Sequence, residues 1–195
     1  NNPYLKVIKI VTKFPNALEV NVAEREEWFA VQTAEGNHAL LDDELKVLQV
    51  VDTPVFADKS KPAILTVTGA TSIADKEFIA GKNLIKTTDN AEIYNVINGF
   101  CLSLKAIGYN AVNVKGILRK VNVNYNFAKT SIFIETECGL NIEIKEALDR
   151  LEEKIVFAFS VYNKCREDDN LYGTITIFED KNTNTIKGGY VPDRG

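Results

Sequence analysis

The alternation of apolar and polar residues from residue 18 to residue 23 is the feature that most constrains the fold of this chain. Every second side chain is apolar, which is typical of a β-strand with one buried face; the apolar residues are Leu18, Val20 and Val22. Residues 4–12 (YLKVIKIVT) are also β-branched and partly alternating. Between these stretches, residues 14–16 (FPN) combine a Pro that cannot donate to a strand ladder with an Asn that tolerates a tight turn. The sequence therefore predicts a hairpin with one buried face.

A first structural unit is predicted to continue through three more short strands, at residues 28–32, 38–41 and 47–51. The best linker candidates in the chain follow directly, at Thr53-Pro54 and at residues 58–62 (DKSKP). We therefore expect a first unit over residues 1–57 and a second over residues 58–195.

The second unit is predicted to be an α+β domain, with an antiparallel sheet and two helices on one face. One helix is expected from a cap at Asp89 or Asn90 to about Ala106, since apolar residues recur there at i, i+3 and i+4. The other is expected over residues 146–164. Strands are expected at residues 64–68, 111–118, 121–125, 131–137, 140–144 and 173–178, followed by a polar tail.

Composition excludes several classes of function. The net charge is −4, which argues against a general nucleic-acid surface. No stretch approaches the roughly 18 consecutive apolar residues of a spanning helix. The chain contains no Met, so we expect it to be part of a longer protein. Three cysteines without metal-ligand spacing predict mostly buried thiols and at most one disulfide, and they leave the compartment open.

Candidate catalytic or metal-binding groups are few. His38 is the single histidine and lacks the local signature of a catalytic triad. Asp180, Asn182 and Asn184 mimic the start of a calcium loop, but Thr185 and Val191 occupy positions that require Gly and Glu. These residues therefore predict a solvated turn. No catalytic apparatus, metal or cofactor is expected.

Glu135 and Glu137 form a carboxylate pair whose spacing would suit a glycosidase, since residues i and i+2 share one side of a strand. Their neighbours alternate so that both acids are predicted on the solvent face. A cell-wall hydrolase that uses this pair is the least favoured alternative.

Binding through a sheet edge is a further possibility. A terminal strand at residues 173–178 would offer unpaired backbone groups to a partner strand if it lay at an edge. The opposite interpretation is equally open from the sequence: this strand lies inside the sheet or is capped by its own tail.

Several motifs in the first 50 residues resemble the bacterial cell-division family FtsQ/DivIB. They are NPYLKV at 2–7, KFPNALEVNVAERE at 13–26, Ala30-Val31, Leu40-Leu41-Asp42 and Lys46-Val47-Leu48. In that family such motifs form the second half of a POTRA module. The resemblance implies that residues 1–57 are the C-terminal half of a POTRA-like domain, a truncated unit of three to four strands. Its earlier strand and two helices would precede Asn1.

The second unit resembles the same family in layout more than in motif. The similar segments are Gly139-Leu140 with residues 142–144 (IEI), residues 151–155 (LEEKI) and residues 173–177 (GTITI). Residues 63–92 show no clear family signature.

The resemblance implies a non-catalytic divisome scaffold at the division septum, on the outer face of the cytoplasmic membrane. The membrane anchor would lie outside this chain, and the partners would be FtsB/DivIC-like and FtsL-like division proteins. Family members bind partners by strand addition at their last strands. Carried over, the implied partner-binding residues are Gly173, Thr174, Ile175, Thr176, Ile177 and Phe178, with Tyr190 and Val191 in the tail.

This mapping predicts that a charged residue or Pro at Ile175 or Ile177 abolishes partner binding but leaves the fold largely intact. The alternative function is a POTRA-containing chaperone of polypeptide secretion or outer-membrane assembly. That alternative predicts several tandem POTRA copies.

Overall fold

The computed structural model describes residues 2–52, 65–69, 73–124 and 129–193. The fold is α+β, as expected, with a nine-stranded sheet, a separate two-stranded sheet and three α-helices in the described ranges. The helices are α1 (Ala91–Ala106), α2 (Ala111–Ile117) and α3 (Leu151–Glu167). Within these ranges no helix is long and apolar enough to cross a membrane.

The predicted hairpin is present, with β1 (Leu5–Lys13) and β2 (Ala17–Glu24) paired antiparallel around the turn at 14–16. A bulge at residue 8 lets Val7 and Ile10 share one face of the hairpin, because directly paired residues lie on the same face.

The expected burial of that face is wrong. Six aliphatic side chains on it are 44–63% exposed: Leu5, Val7, Ile10, Leu18, Val20 and Val22. The physical reason is that, among the described elements, β1 and β2 share extensive contacts only with each other. We call these six residues the apolar hairpin face.

The main sheet has the strand order β11-β10-β9-β8-β7-β6-β3-β4-β5. Its strands are β3 (Phe29–Gln32), β4 (His38–Leu41), β5 (Val47–Val51), β6 (Leu65–Thr68), β7 (Leu118–Asn124), β8 (Ser131–Thr136), β9 (Leu140–Ile144), β10 (Gly173–Asp180) and β11 (Thr185–Val191).

The prediction of an antiparallel sheet is wrong, because β3 pairs with β6, β6 with β7 and β9 with β10 in parallel. Two of these parallel pairs follow from helical crossovers. The chain passes through α1 and α2 between β6 and β7, and through α3 between β9 and β10.

The predicted linkers at Thr53-Pro54 and 58–62 lie outside the described residues. Strands from both sides of them belong to one sheet, since β3 pairs with β6. The strands of the expected first unit are therefore divided between the separate hairpin and one end of the main sheet. The division into 1–57 and 58–195 and the POTRA-type layout stay predictions.

Two secondary-structure predictions need correction, one of a strand and one of a helix. Residues 111–117 form α2 and not a strand, because the side chains of Asn110 and Asn113 cap the helix reciprocally. Asn110 Oδ1 accepts the Asn113 N–H at 3.0 Å, and Asn113 Oδ1 accepts the Asn110 N–H at 3.3 Å. The second long helix starts at Leu151 and not at residue 146, since residues 147–150 form a turn and Arg150 has a left-handed backbone (φ 53°).

Candidate partner-binding edge

Strand β10 lies inside the sheet, with β9 parallel on one side and β11 antiparallel on the other. The expectation that residues 173–178 form a sheet edge is therefore wrong. Ile175 and Ile177 have no exposed surface, so a charged residue or Pro there would disrupt the core. The expectation that such variants keep their fold is corrected for the same reason.

The edge is formed by β11, from residues that the sequence analysis assigned to a polar tail. The chain reverses at Asp180, whose Oδ1 accepts the Asn182 N–H at 3.0 Å and whose backbone oxygen accepts the Thr183 N–H at 3.2 Å. This confirms the calcium-like triplet as a turn; the described residues hold no cluster suited to a metal ion.

The implied partner-binding residues are therefore split between two strands. Gly173, Thr174, Ile175, Thr176, Ile177 and Phe178 lie on β10, whereas Tyr190 and Val191 lie on β11. Sequence reasoning missed residues 185–189 of the edge. The available signal was an Asp/Asn-rich turn followed by the short alternation Thr185-Ile186-Lys187.

One hydrogen bond shows in which direction the backbone N–H and C=O groups of β10 and β11 point. The Lys145 N–H donates to the Ile177 carbonyl at 2.9 Å, so Ile177 directs its backbone groups toward β9. Because directions alternate along a strand, Thr176 instead faces β11, where it pairs with Gly189. The β11 residues between those bonded to β10 direct their N–H and C=O groups away from the sheet: Ile186, Gly188 and Tyr190.

Side-chain contacts hold β11 in place. The Tyr190 hydroxyl donates to the Tyr172 carbonyl at 2.7 Å, and Arg150 Nη1 donates to the Asn184 carbonyl at 3.1 Å. Gly173 has φ 136°, and a Cβ there would collide with the Val191 carbonyl oxygen. Only glycine therefore lets the ends of β10 and β11 approach so closely.

The charges next to the edge are locally paired. Lys187 forms an ion pair with Asp180, and this hydrogen bond is the main cause that lowers the pKa of the Asp180 carboxyl. Lys181 lies 3.0 Å from a carboxylate oxygen of Glu146. Neutral backbone groups are therefore the main feature that β11 offers to a partner.

A cluster of charged side chains joins the hairpin to the main sheet. It contains residues of two motifs quoted above, the Glu-Arg end of the hairpin and Leu-Leu-Asp. Arg25 forms ion pairs with Asp42, which is 1% exposed at its side chain, and with Glu44 at 2.8 Å. Asp42 Oδ1 also accepts the N–H groups of Glu44 and Lys46, both at 2.8 Å. Lys6 pairs with Glu44, and this bond, followed by that from Arg25, lowers the pKa of Glu44 to about 2.

The other candidate groups do not come together. Glu135 lies on the half-exposed side of β8, and Glu137 lies beyond its end, in the following turn. His38 is buried in β4, and burial lowers the pKa of its imidazole. Cys101 and Cys165 are buried and Cys138 is half-buried, and all three are free thiols.

No protein-family model matches the chain, and no curated protein matches it significantly.

Proposed function

We propose that this chain is the extracytoplasmic part of a non-catalytic divisome scaffold of the FtsQ/DivIB kind. It supports septum assembly at the outer face of the cytoplasmic membrane, to which a segment outside this chain anchors it. An FtsB/DivIC-like or FtsL-like partner adds a strand to β11. The observation that carries the proposal is the outward-directed backbone of Ile186, Gly188 and Tyr190 at the edge of a nine-stranded sheet.

Strand addition requires an edge whose backbone groups are accessible, and the two edges of this sheet differ in that respect. At the β5 edge, the Val47 N–H donates to the Lys82 carbonyl at 2.9 Å, and the Gly81 N–H donates to the Val47 carbonyl at 2.8 Å. At the β11 edge, no described strand lies beyond β11. The bonds at Val47 occupy the start of the β5 edge, and this difference favours β11 as the partner site.

The hairpin supports the POTRA part of the proposal. Its apolar face has the composition of a buried surface, yet no described element covers it. In a POTRA-type module, one further strand would pair with the hairpin and two helices would pack on this face. We propose that further residues of the same module cover the apolar hairpin face.

The test is a pull-down with FtsB/DivIC-like and FtsL-like partner domains, in which Gly188→Pro is compared with Gly188→Ala. Both variants place a Cβ 2.8 Å from Ile177 Cδ1 and 3.0 Å from Phe157 Cε1, so both crowd the core equally at that atom. Only Pro removes the outward N–H group, so we expect Gly188→Pro to weaken partner binding at least about tenfold relative to Gly188→Ala.

Thermal unfolding of both variants provides the fold control. The N–H of Gly188 does not bond to β10, so both variants should unfold at similar temperatures. Equal partner binding by the two variants, with both folded, would contradict strand addition at β11.

A further inference from the structure

Two adjacent glycines occupy the middle of β11, and only the first is explained by the fold. A Cβ at Gly188 would press on Ile177 and Phe157 beneath the edge. A Cβ at Gly189 would meet no atom within 4 Å, and the backbone of Gly189 is not in the left-handed range. Glycine inside a strand carries a stability cost relative to Ala. Neither packing nor backbone conformation within the described chain accounts for that cost at Gly189.

Gly189 lies on the sheet face opposite to Ile177, and its missing side chain leaves a gap. Exposed Lys187 and Val191 flank the gap along β11, and Thr176, the partner of Gly189 on β10, borders it from the neighbouring strand. Phe178 on β10 is on the same face and is 39% exposed. The gap is therefore bordered by the apolar side chains of Val191 and Phe178 and by the aliphatic part of Lys187.

An added strand would bring one side chain directly over this gap. Its bonds would go to the outward groups of Gly188 and Tyr190, so the residue opposite Gly189 in an antiparallel strand forms a non-hydrogen-bonded pair. Side chains in such pairs approach most closely, at about 4.5 Å between Cα atoms. A large side chain facing a glycine in a neighbouring strand is a known way to restore packing at that glycine.

We infer that the partner strand carries an aromatic or large aliphatic side chain opposite Gly189, packed on Thr176, Val191 and Phe178. This inference rests on the proposed strand addition to β11. It specifies the kind of side chain at one position of the partner strand, in addition to the backbone hydrogen bonds that this strand forms with β11.

A phage-displayed library of random 12-residue peptides, selected on the wild-type chain, tests the inference. Amide chemical shifts identify the selected peptides that perturb β11. We expect these peptides to share an aromatic or large aliphatic residue at one position. Their affinity should fall at least about tenfold for Gly189→Val, because the valine fills the gap.

Thr185→Val is the matched control, since Thr185 lies on the same face of β11 but away from the gap. We expect it to change affinity less than twofold. Gly189→Val should retain the wild-type unfolding temperature, because its Cβ has free space and valine favours strands.

The outcomes distinguish the proposed strand addition to β11 from the inferred side chain opposite Gly189. Peptides that perturb β11 but share no such residue, or that bind Gly189→Val equally well, overturn the inference and leave strand addition standing. If no selected peptide perturbs β11, strand addition and the inference both fail.

Discussion

At the scale of single residues, Asp42 shows how two short motifs work together. Its carboxylate is almost fully buried and accepts two backbone N–H groups as well as the Arg25 guanidinium. The Glu-Arg end of the hairpin and the Leu-Leu-Asp turn of the sheet are thus one structural joint. The sequence motifs indicated the Glu-Arg end and the Leu-Leu-Asp turn separately. They did not predict the contact between them, because that contact depends on how the hairpin packs against the sheet.

Asp42→Asn removes the charge of this joint and keeps its shape. We expect the free energy of unfolding to fall by about 2–4 kcal/mol, because Arg25 loses a buried partner. Glu44→Gln is the control, since it affects the same arginine at a side chain that is 40% exposed, and it should cost less than about 1 kcal/mol. Urea unfolding of both variants measures the difference, and equal losses would contradict a dominant role for the buried pair.

At the scale of elements, the hairpin shows that an amphipathic pattern does not by itself predict burial. Alternation correctly predicted the two strands and placed their apolar residues on one side. It could not predict whether anything covers that side, because periodicity reports which side chains share a face and not what lies opposite.

The exposed hairpin face should make the isolated 195-residue chain self-associate. We expect a variant with Ile10→Thr, Val20→Thr and Val22→Thr to sediment closer to a monomer at high concentration than the wild type, because it removes exposed apolar surface. The unfolding temperature should change little, since these side chains are exposed.

The control for this experiment is Lys9→Thr with Asn21→Thr, a directly paired position on the opposite hairpin face. It should sediment like the wild type. If the apolar-face variant and the control sediment identically in analytical ultracentrifugation, the apolar hairpin face does not drive association.

Short elements were harder to predict than long ones. The long helix at 91–106 was predicted well because its apolar spacing recurs over four turns. The seven-residue α2 was mistaken for a strand, since Val112 and Val114 alternate and the decisive reciprocal cap involves only two side chains. Strand β11 was missed because its two glycines weaken the strand signal.

At the scale of the whole molecule, one sheet contains strands from both sides of the predicted domain boundary. β3 pairs with β6, and Phe29 of β3 packs edge-on against Phe100 of α1, with ring centroids 6.5 Å apart. The predicted boundary between residues 57 and 58 therefore separates strands that share a sheet and a core.

Residues 58–195 expressed alone test how far the second unit is independent. Without β3, the edge of β6 and the surface around Phe100 lose their partners, and loss of the Phe29 ring alone should cost about 3–5 kcal/mol. We expect the fragment to lack the cooperative thermal transition of the full chain in calorimetry. A fragment that unfolds cooperatively at the temperature of the full chain would support two independent domains.

The amino-acid sequence alone determined the local elements of this protein: the hairpin, the α+β class, the long helix and most strands of the sheet. These depend on periodicity, turn residues and caps, which act within a few residues. Only the tertiary structure decided that parallel pairs link the halves, that no described element covers the apolar hairpin face, and that β11 rather than β10 forms the edge of the described sheet. These features depend on which distant segments pair, and the free energy of such pairing comes from contacts that no local pattern encodes.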